Sequence, residues 1–163
     1  MKRIGILSDT HGYVHPELER IFENTDEIWH CGDFGTYEVV EKLKSIAPVR
    51  GVFGNIDGPE IRQEFGQFNR SLCEDVDVFI THVGGCPGNY DARVREVLLT
   101  NPPKLFVCGH SHILRVVHDK RFNLLYINPG AAGKSGFHKA LTMVRLVIDG
   151  KEIKDLEVVE FEK

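Results

Sequence analysis

The most informative part of the sequence is Leu105-Phe106-Val107-Cys108-Gly109-His110-Ser111-His112. It joins a short apolar run to two histidines through a glycine. An apolar run of this length, bounded by turn residues, is typical of a strand buried on both faces. In an extended segment, side chains at positions i and i+2 point the same way, so we expect both imidazoles to face one point beyond the strand. Two such imidazoles suit a transition metal, although a polar loop with two solvated histidines is the competing interpretation.

The composition narrows the class of protein. The chain has 163 residues, a formal net charge of −4 and 27% charged residues, which are ordinary values for one soluble globular domain. The negative net charge disfavours nucleic acid or an acidic membrane surface as a partner. No apolar run approaches the ~20 residues of a membrane span, and Met1-Lys2-Arg3 leads directly into a strand without a signal peptide. We therefore expect a single domain over residues 1–163, located in the cytoplasm.

Strands and helices alternate over the first two-thirds of the chain, whereas strands follow one another in the last third. Apolar runs predict strands over 3–8, 27–31, 49–53, 76–81, 104–108, 113–119, 122–127, 141–148 and 151–161. Apolar stripes at helical spacing predict helices over about 16–24, 37–46 and 90–100. The stretch 59–75 predicts an irregular segment and then an edge strand, and the glycine-rich 83–89 predicts a loop. This order predicts a mostly parallel sheet packed on a more antiparallel one, with helices outside.

Polar side chains follow five of these strands, where open α/β sheets place their ligands. There are seven of them: Asp9, His11, Asp33, Asn55, His82, His110 and His112. Each strand end alone would pass as a turn. Together they exceed the three protein ligands that a catalytic zinc usually takes, and they fit two ions roughly 3.5–4 Å apart with a bridging carboxylate. The absence of cysteine among them disfavours structural zinc.

This ordered set resembles the calcineurin-like metallophosphoesterases, whose pattern is Asp-x-His, Gly-Asp, Gly-Asn, His and Gly-His-x-His. The matching blocks are Asp9-Thr10-His11, Gly32-Asp33, Gly54-Asn55, Thr81-His82 and Gly109-His110-Ser111-His112. The compact length, Ser8-Asp9-Thr10-His11-Gly12 and Asn128-Pro129-Gly130 look like the small prokaryotic phosphodiesterase branch. The resemblance implies an α/β fold, a four-layer α/β/β/α sandwich of two mixed sheets flanked by helices.

The resemblance also implies two divalent ions at the strand ends. One would be held by Asp9, His11, Asp33 and His112, and the other by Asp33, Asn55, His82 and His110, with Asp33 bridging them. Oxygen and imidazole ligands admit Mn, Fe, Ni, Co or Zn, and Mn is the ion we expect. The implied reaction is hydrolysis of a small phosphodiester by an activated water, with Asp33, Asn55 and His82 as catalytic residues.

Two other functions are compatible with the same fold: a non-catalytic protein-interaction scaffold, and a metal-dependent nuclease. One position departs from the pattern. Many relatives have a histidine after the asparagine of the Gly-Asn block, paired with the following aspartate and assigned to protonate the leaving group, whereas this chain has Ile56 beside Asp57. We interpret Asn128 as a turn residue or a support for a ligand histidine. The remaining histidines, His15, His30, His118 and His138, are expected to be structural or solvated, and a homodimer is one open assembly.

Overall fold

Twelve strands and four helices make up the protein in a computed structural model that describes residues 1–163. The strands are β1 (Lys2–Leu7), β2 (Glu27–His30), β3 (Val49–Gly51), β4 (Phe68–Cys73), β5 (Val76–Thr81), β6 (Gly85–Cys86), β7 (Asn89–Tyr90), β8 (Leu105–Val107), β9 (Leu114–Asp119), β10 (Leu124–Pro129), β11 (Ala140–Asp149) and β12 (Glu152–Glu162). The helices are α1 (Leu18–Ile21), α2 (Tyr37–Lys44), α3 (Pro59–Glu64) and α4 (Ala92–Thr100).

Each of the two five-stranded sheets contains two parallel and two antiparallel strand pairings. The first has the order β12-β11-β1-β2-β3, in which β1, β2 and β3 are parallel. The second has the order β4-β5-β8-β10-β9, in which β5, β8 and β10 are parallel. The two mixed sheets are confirmed, but the expected contrast between them is wrong. The antiparallel β11 and β12 return to the first sheet instead of extending the second.

The apolar side chains fall into three clusters that separate four layers. The largest lies between the sheets, where Trp29 of β2 and Ile80 of β5 are fully buried. A second cluster packs α1, α2 and α3 on the outer face of the first sheet, and a third packs α4 against Phe106 on the outer face of the second. Full burial of a large apolar side chain stabilises the fold by about 1.5–3 kcal/mol, so these clusters fix the α/β/β/α arrangement.

Some elements differ locally from those predicted. The helix predicted over 16–24 is only Leu18–Ile21. Phe22 follows it and packs its ring against β1, where a Cβ at Gly5 would lie 2.6 Å away. The irregular segment after residue 58 contains α3, whose Pro59 suits a first helical position. Part of the predicted loop 83–89 forms the β6-β7 hairpin. No helix has the length and apolar character needed to cross a membrane.

The parallel strands of both sheets end at one edge of the sandwich, and their loops are joined there by hydrogen bonds. The Asp9 N–H donates to the Gly32 carbonyl over 3.0 Å, which links the ends of β1 and β2. The Gly109 N–H donates to the His82 carbonyl over 3.0 Å, which links the ends of β8 and β5. The His110 N–H donates to Asp9 Oδ2 over 3.0 Å and so connects the two sheets. All seven predicted ligands lie in these loops.

Candidate metal centre

Left-handed backbone conformations turn the ligand side chains inward at this edge. They occur at Asp9 (φ 54°), His11 (46°), Asp33 (60°), His110 (70°) and His112 (62°). Such values are uncommon outside glycine and concentrate at functional sites. The expectation that His110 and His112 form an extended pair facing one point is therefore wrong, because alternation of side chains requires extended backbone.

Six of the seven predicted ligands form two groups of equal composition, each with one carboxylate and two imidazoles. Within each group the candidate ligand atoms lie within 4.8 Å of one another. The first group consists of Asp9, His11 and His112, and the second group consists of Asp33, His82 and His110. His110 and His112 thus belong to different groups, as the family pattern implies.

The two groups meet at the Asp33 carboxylate. Its Oδ2 atom lies 3.2 Å from His82 Nε2 in the second group and 3.6 Å from His11 Nε2 in the first. Asp9 Oδ1 lies 3.1 Å from His112 Nε2, within its own group, and 3.9 Å from His82 Nε2. One oxygen of Asp33 therefore faces both groups, which is the geometry that a bridging ligand needs.

Each carboxylate has one oxygen held by the protein and one oxygen turned toward the imidazoles. Asp9 Oδ2 accepts hydrogen bonds from Ser8 Oγ at 2.6 Å and from the His110 N–H. Asp33 Oδ1 accepts from the Ile56 N–H at 3.0 Å. Because these donors fix the carboxylate planes, the free oxygens are oriented before any ion arrives.

Hydrogen bonds on the far side of two imidazoles also orient their rings. His82 Nδ1 lies 2.7 Å from the Cys31 carbonyl oxygen, which can only accept, so Nδ1 carries the proton and Nε2 presents a lone pair to the centre. His138 Nε2 donates to the Gly133 carbonyl over 2.7 Å, and His138 Nδ1 lies 3.3 Å from His112 Nδ1. Burial lowers the pKa of His138, so its neutral ring accepts the Nδ1 proton of His112. Ligand histidines of metal sites are typically held in this way.

The sequence reasoning missed this role of His138, which was expected to be structural or solvated. It lies 26 residues beyond His112, in a loop with no strand-end motif, so no spacing signal could have found it. Asn128 is closer to expectation, because its side-chain amide donates to the Gly109 carbonyl and to Ser111 Oγ, both at 3.0 Å. It supports the loop that carries His110 and His112 and contacts neither ring.

The centre contains buried polar atoms that the protein itself does not satisfy. His11 Nε2 and His82 Nε2 are buried and have no hydrogen-bond partner. An unsatisfied buried polar group destabilises a fold by about 1–3 kcal/mol, so such atoms are rare unless they serve a purpose. Both atoms face carboxylate oxygens, and together they form the donor set of imidazoles and carboxylates that divalent transition metals bind. The residues therefore fit two ions.

The electrostatics of the metal-free centre couple the carboxylates to the imidazoles. Burial alone would raise the pKa of Asp9, but the neighbouring imidazoles of His11 and His112 hold that pKa well below the usual range. Burial also acts to raise the pKa of Asp33, but His82 and the Ile56 N–H outweigh that effect, so the pKa of Asp33 is lowered. In return, Asp9 raises the pKa of His11, and Asp33 raises the pKa of His82 against the effect of burial. The carboxylates and the imidazoles thus favour each other's charged forms, so ions that bind here would compete with protons.

Asn55, the seventh predicted ligand, lies on a loop beside the second group. It is exposed and lines a cavity together with His82. The loop approaches so closely that a Cβ at Gly54 would overlap the Asp33 carboxylate, which explains the glycine. The Asp57 carboxylate is buried and accepts from the N–H groups of Asp33 at 2.9 Å and Gly54 at 2.8 Å. Asp57 therefore holds the backbone of the loops after β2 and β3.

The other histidines have the structural or solvated roles expected of them. His30 is fully buried and stacked on Phe34, and burial lowers its pKa to about 3. Its Nδ1 accepts from the Gly32 N–H at 3.1 Å. His15 stacks on Phe161 at 4.0 Å, and His118 is exposed on β9.

Comparison with known proteins places this geometry in a wider context. The family model of the calcineurin-like phosphoesterase superfamily domain matches residues 1–151. A probable metallophosphoesterase from Methanocaldococcus jannaschii is 32% identical over 136 residues, which cover 78% of this chain and 67% of that protein. Another from Methanothermobacter thermautotrophicus is 26% identical over 167 residues, covering 96% and 91%.

Solved structures show the same fold. An archaeal phosphodiesterase superposes with a TM-score of 0.75 at 26% identity, covering 96% of this chain and 99% of that one. Vps29 from Chaetomium thermophilum superposes with a TM-score of 0.76 over the whole of both chains, at 12% identity. The second likeness shows the fold alone, whereas the first also shares a quarter of its sequence with this chain.

Proposed function

The chain belongs to the calcineurin-like phosphoesterase superfamily, and on that premise we propose that it is a phosphodiesterase that uses two divalent ions, Mn in the first instance, to hydrolyse small phosphodiesters. The observation that carries the proposal is the pair of equal ligand groups that meet at Asp33 Oδ2. The archaeal phosphodiesterase, at 26% identity, supports the choice of a diester substrate.

The proposed ligands follow the two groups. Asp9, His11 and His112 would hold one ion, and His82 and His110 would hold the other with Asn55, while Asp33 would contact both. Asn55 shares its cavity with His82 and carries no charge, so it adds a ligand without cancelling positive charge that an anionic substrate requires.

Divalent ions bound in these groups would generate a hydroxide-like nucleophile near neutral pH and neutralise the phosphodiester. The protein supplies orientation. The Cys31 carbonyl and His138 fix which nitrogen of His82 and of His112 faces the centre, while Ser8 and the Ile56 N–H fix the carboxylates. Complete burial of Asp9 keeps its charge poorly screened and therefore effective.

The loop after β3 supplies no proton donor for the leaving group. The Ile56 side chain is 50% exposed and has no proton to donate. The neighbouring Asp57 carboxylate accepts hydrogen bonds from backbone N–H groups instead of facing the substrate side. General-acid assistance contributes roughly 10²–10⁴-fold to a rate, and alkyl leaving groups depend on it more than aryl groups of low pKa. We therefore expect aryl phosphodiesters to be cleaved much faster than alkyl diesters of similar size.

The test is a series of phosphodiesters with graded leaving groups, assayed with protein loaded with Mn and with metal-free protein as the control. A rate that rises steeply as the leaving-group pKa falls is the expected result. A flat dependence of the chemical step would show that another group supplies the proton. Absence of diester hydrolysis with Mn, Fe, Ni, Co and Zn alike would overturn the phosphodiesterase and favour a non-catalytic scaffold.

A further inference from the structure

A cavity of about 170 Å³ lies beside the second group, and the proposed chemistry makes no use of most of it. Asn55 and His82 form part of its wall, and its other polar lining residues are Arg62, Gln67, Thr81 and Arg93. No aspartate or glutamate lines it. Its volume is roughly that of five or six waters at about 30 Å³ each, which is enough for a small anionic group.

Arg62 brings a positive charge to this cavity without a carboxylate partner. Its Nε donates to the Asp57 carbonyl at 2.5 Å, and its Nη2 donates to the Gly54 and Asn55 carbonyls, both at 3.2 Å. The guanidinium stacks over the Phe53 ring at 4.3 Å. Carbonyl oxygens orient a guanidinium but do not neutralise it, and the N–H groups of Nη1 have no partner in the protein.

Arg93 brings a second guanidinium at the start of α4. Its Nε lies 3.3 Å from Asp91 Oδ1, and that same oxygen accepts the Arg93 N–H at 3.0 Å as a helix cap. One carboxylate oxygen thus serves two donors, and both terminal nitrogens of Arg93 have no hydrogen-bond partner. Two guanidinium groups therefore line a cavity that contains no carboxylate in its wall, and the Asp91 carboxylate beside Arg93 is already engaged as a helix cap.

We propose that this cavity binds a second anionic group of the substrate, so that the preferred phosphodiester carries a further phosphate, sulfonate or carboxylate on one ester arm. This inference rests on the proposed function, because the scissile phosphate must lie at the ligand groups while the second anion reaches the cavity. Guanidinium groups suit the task, since their planar fork matches the oxygens of such anions.

Kinetics test the proposal with two aryl phosphodiesters that differ only in whether the second arm ends in a sulfonate or in a methyl group. With Mn-loaded protein we expect kcat/KM to favour the sulfonate about tenfold, the effect of one charge-assisted contact. Arg93→Gln keeps the capping N–H and should reduce that preference to about twofold. Arg95→Gln is the matched control, because Arg95 lies on the same helix but donates to the Tyr90 carbonyl and lines a different cavity.

Binding provides a readout independent of turnover. Phosphinate analogues with the same two arms contain no ester to hydrolyse, and calorimetry with loaded protein should show tighter binding of the sulfonate form, lost in Arg93→Gln. If the protein cleaves the methyl-armed diester but neither experiment shows a preference, the cavity proposal is overturned and the phosphodiesterase stands. If neither diester is cleaved while the phosphinate preference persists, the cavity binds the anionic arm and the proposed phosphodiesterase activity is overturned.

Discussion

The first and second ligand groups have the same chemical composition but different support from the rest of the protein. In the first group, His112 is held from behind by His138, and the His11 side chain, whose ring makes no hydrogen bond, is only 18% exposed. In the second group, His82 is held by the Cys31 carbonyl, but the His110 ring is exposed and accepts or donates no hydrogen bond. The remaining proposed ligand there, Asn55, is exposed as well.

Two ligand sets of equal composition therefore need not bind their ions with equal affinity. Rings fixed before an ion arrives lose less conformational freedom on binding than rings that are free to rotate. We therefore expect the first group to bind its ion more tightly, and the second group to be the side at which ions and substrate exchange. The following experiments test whether the two groups differ in affinity for their ions.

The largest effect is expected from Asp33→Ala, which should abolish the distinction between the groups. Because Asp33 Oδ2 faces both His11 and His82, its loss should lower occupancy of both sites and reduce turnover roughly a thousandfold. Elemental analysis after Mn loading should fall from two equivalents toward none. Asp77→Ala, a charge removed from a surface ion pair with Arg70, is the control. One tight ion insensitive to Asp33→Ala would refute a dinuclear centre.

Removing His138 should weaken only the first group. His138→Ala deletes the acceptor that orients His112, and loss of such a partner typically lowers metal affinity about 10–100-fold. Titration with Mn should show one weakened site and one unchanged site. His118→Ala removes an exposed histidine elsewhere and should change neither. Equal weakening of both sites would mean that the groups are not supported separately.

Acidification should affect the two groups alike, because each contains one imidazole whose pKa is raised, His11 by Asp9 and His82 by Asp33. Ions bind the neutral ring, so affinity should fall about tenfold per pH unit for each displaced proton once the pH drops below those raised values. This loss of affinity should begin at a pH above 6.5, because 6.5 is the ordinary pKa of histidine and both values are raised. Metal-free protein should change in the opposite sense, with stability from these ion pairs lost as the pH rises through the same raised pKa values.

The binding measurement for this prediction is calorimetry in buffers of different ionisation enthalpy, which counts protons released per ion. Proton release at both sites is the expected result. Release at the first site alone would contradict the coupling of Asp33 to His82, and release at the second site alone would contradict the coupling of Asp9 to His11.

The sequence predicted most strands and the loops that carry the candidate ligands, because both depend on local patterns. Apolar runs followed by a polar residue, in three cases through a glycine, located β1, β2, β3, β5 and β8 and every loop of the centre. The pattern could not show which imidazole faces which carboxylate, since that depends on left-handed turns at residues such as His110. It also could not reveal His138 or the inward turn of Asp57, whose partners are backbone groups and rings distant in sequence.

The left-handed backbone of the ligand loops has a consequence for heat resistance. A non-glycine residue in that conformation destabilises the fold by roughly 1–2 kcal/mol, a penalty that glycine escapes. At the exposed His110, glycine should therefore give a metal-free protein about 1 kcal/mol more stable than alanine does, or about 2–4 °C in Tm for a chain of this size. Calorimetric melting of His110→Gly and His110→Ala measures the difference directly, and equal melting temperatures would show that the turn carries no strain. Thermal stability would thus favour glycine at this backbone position, whereas ion binding requires a histidine there.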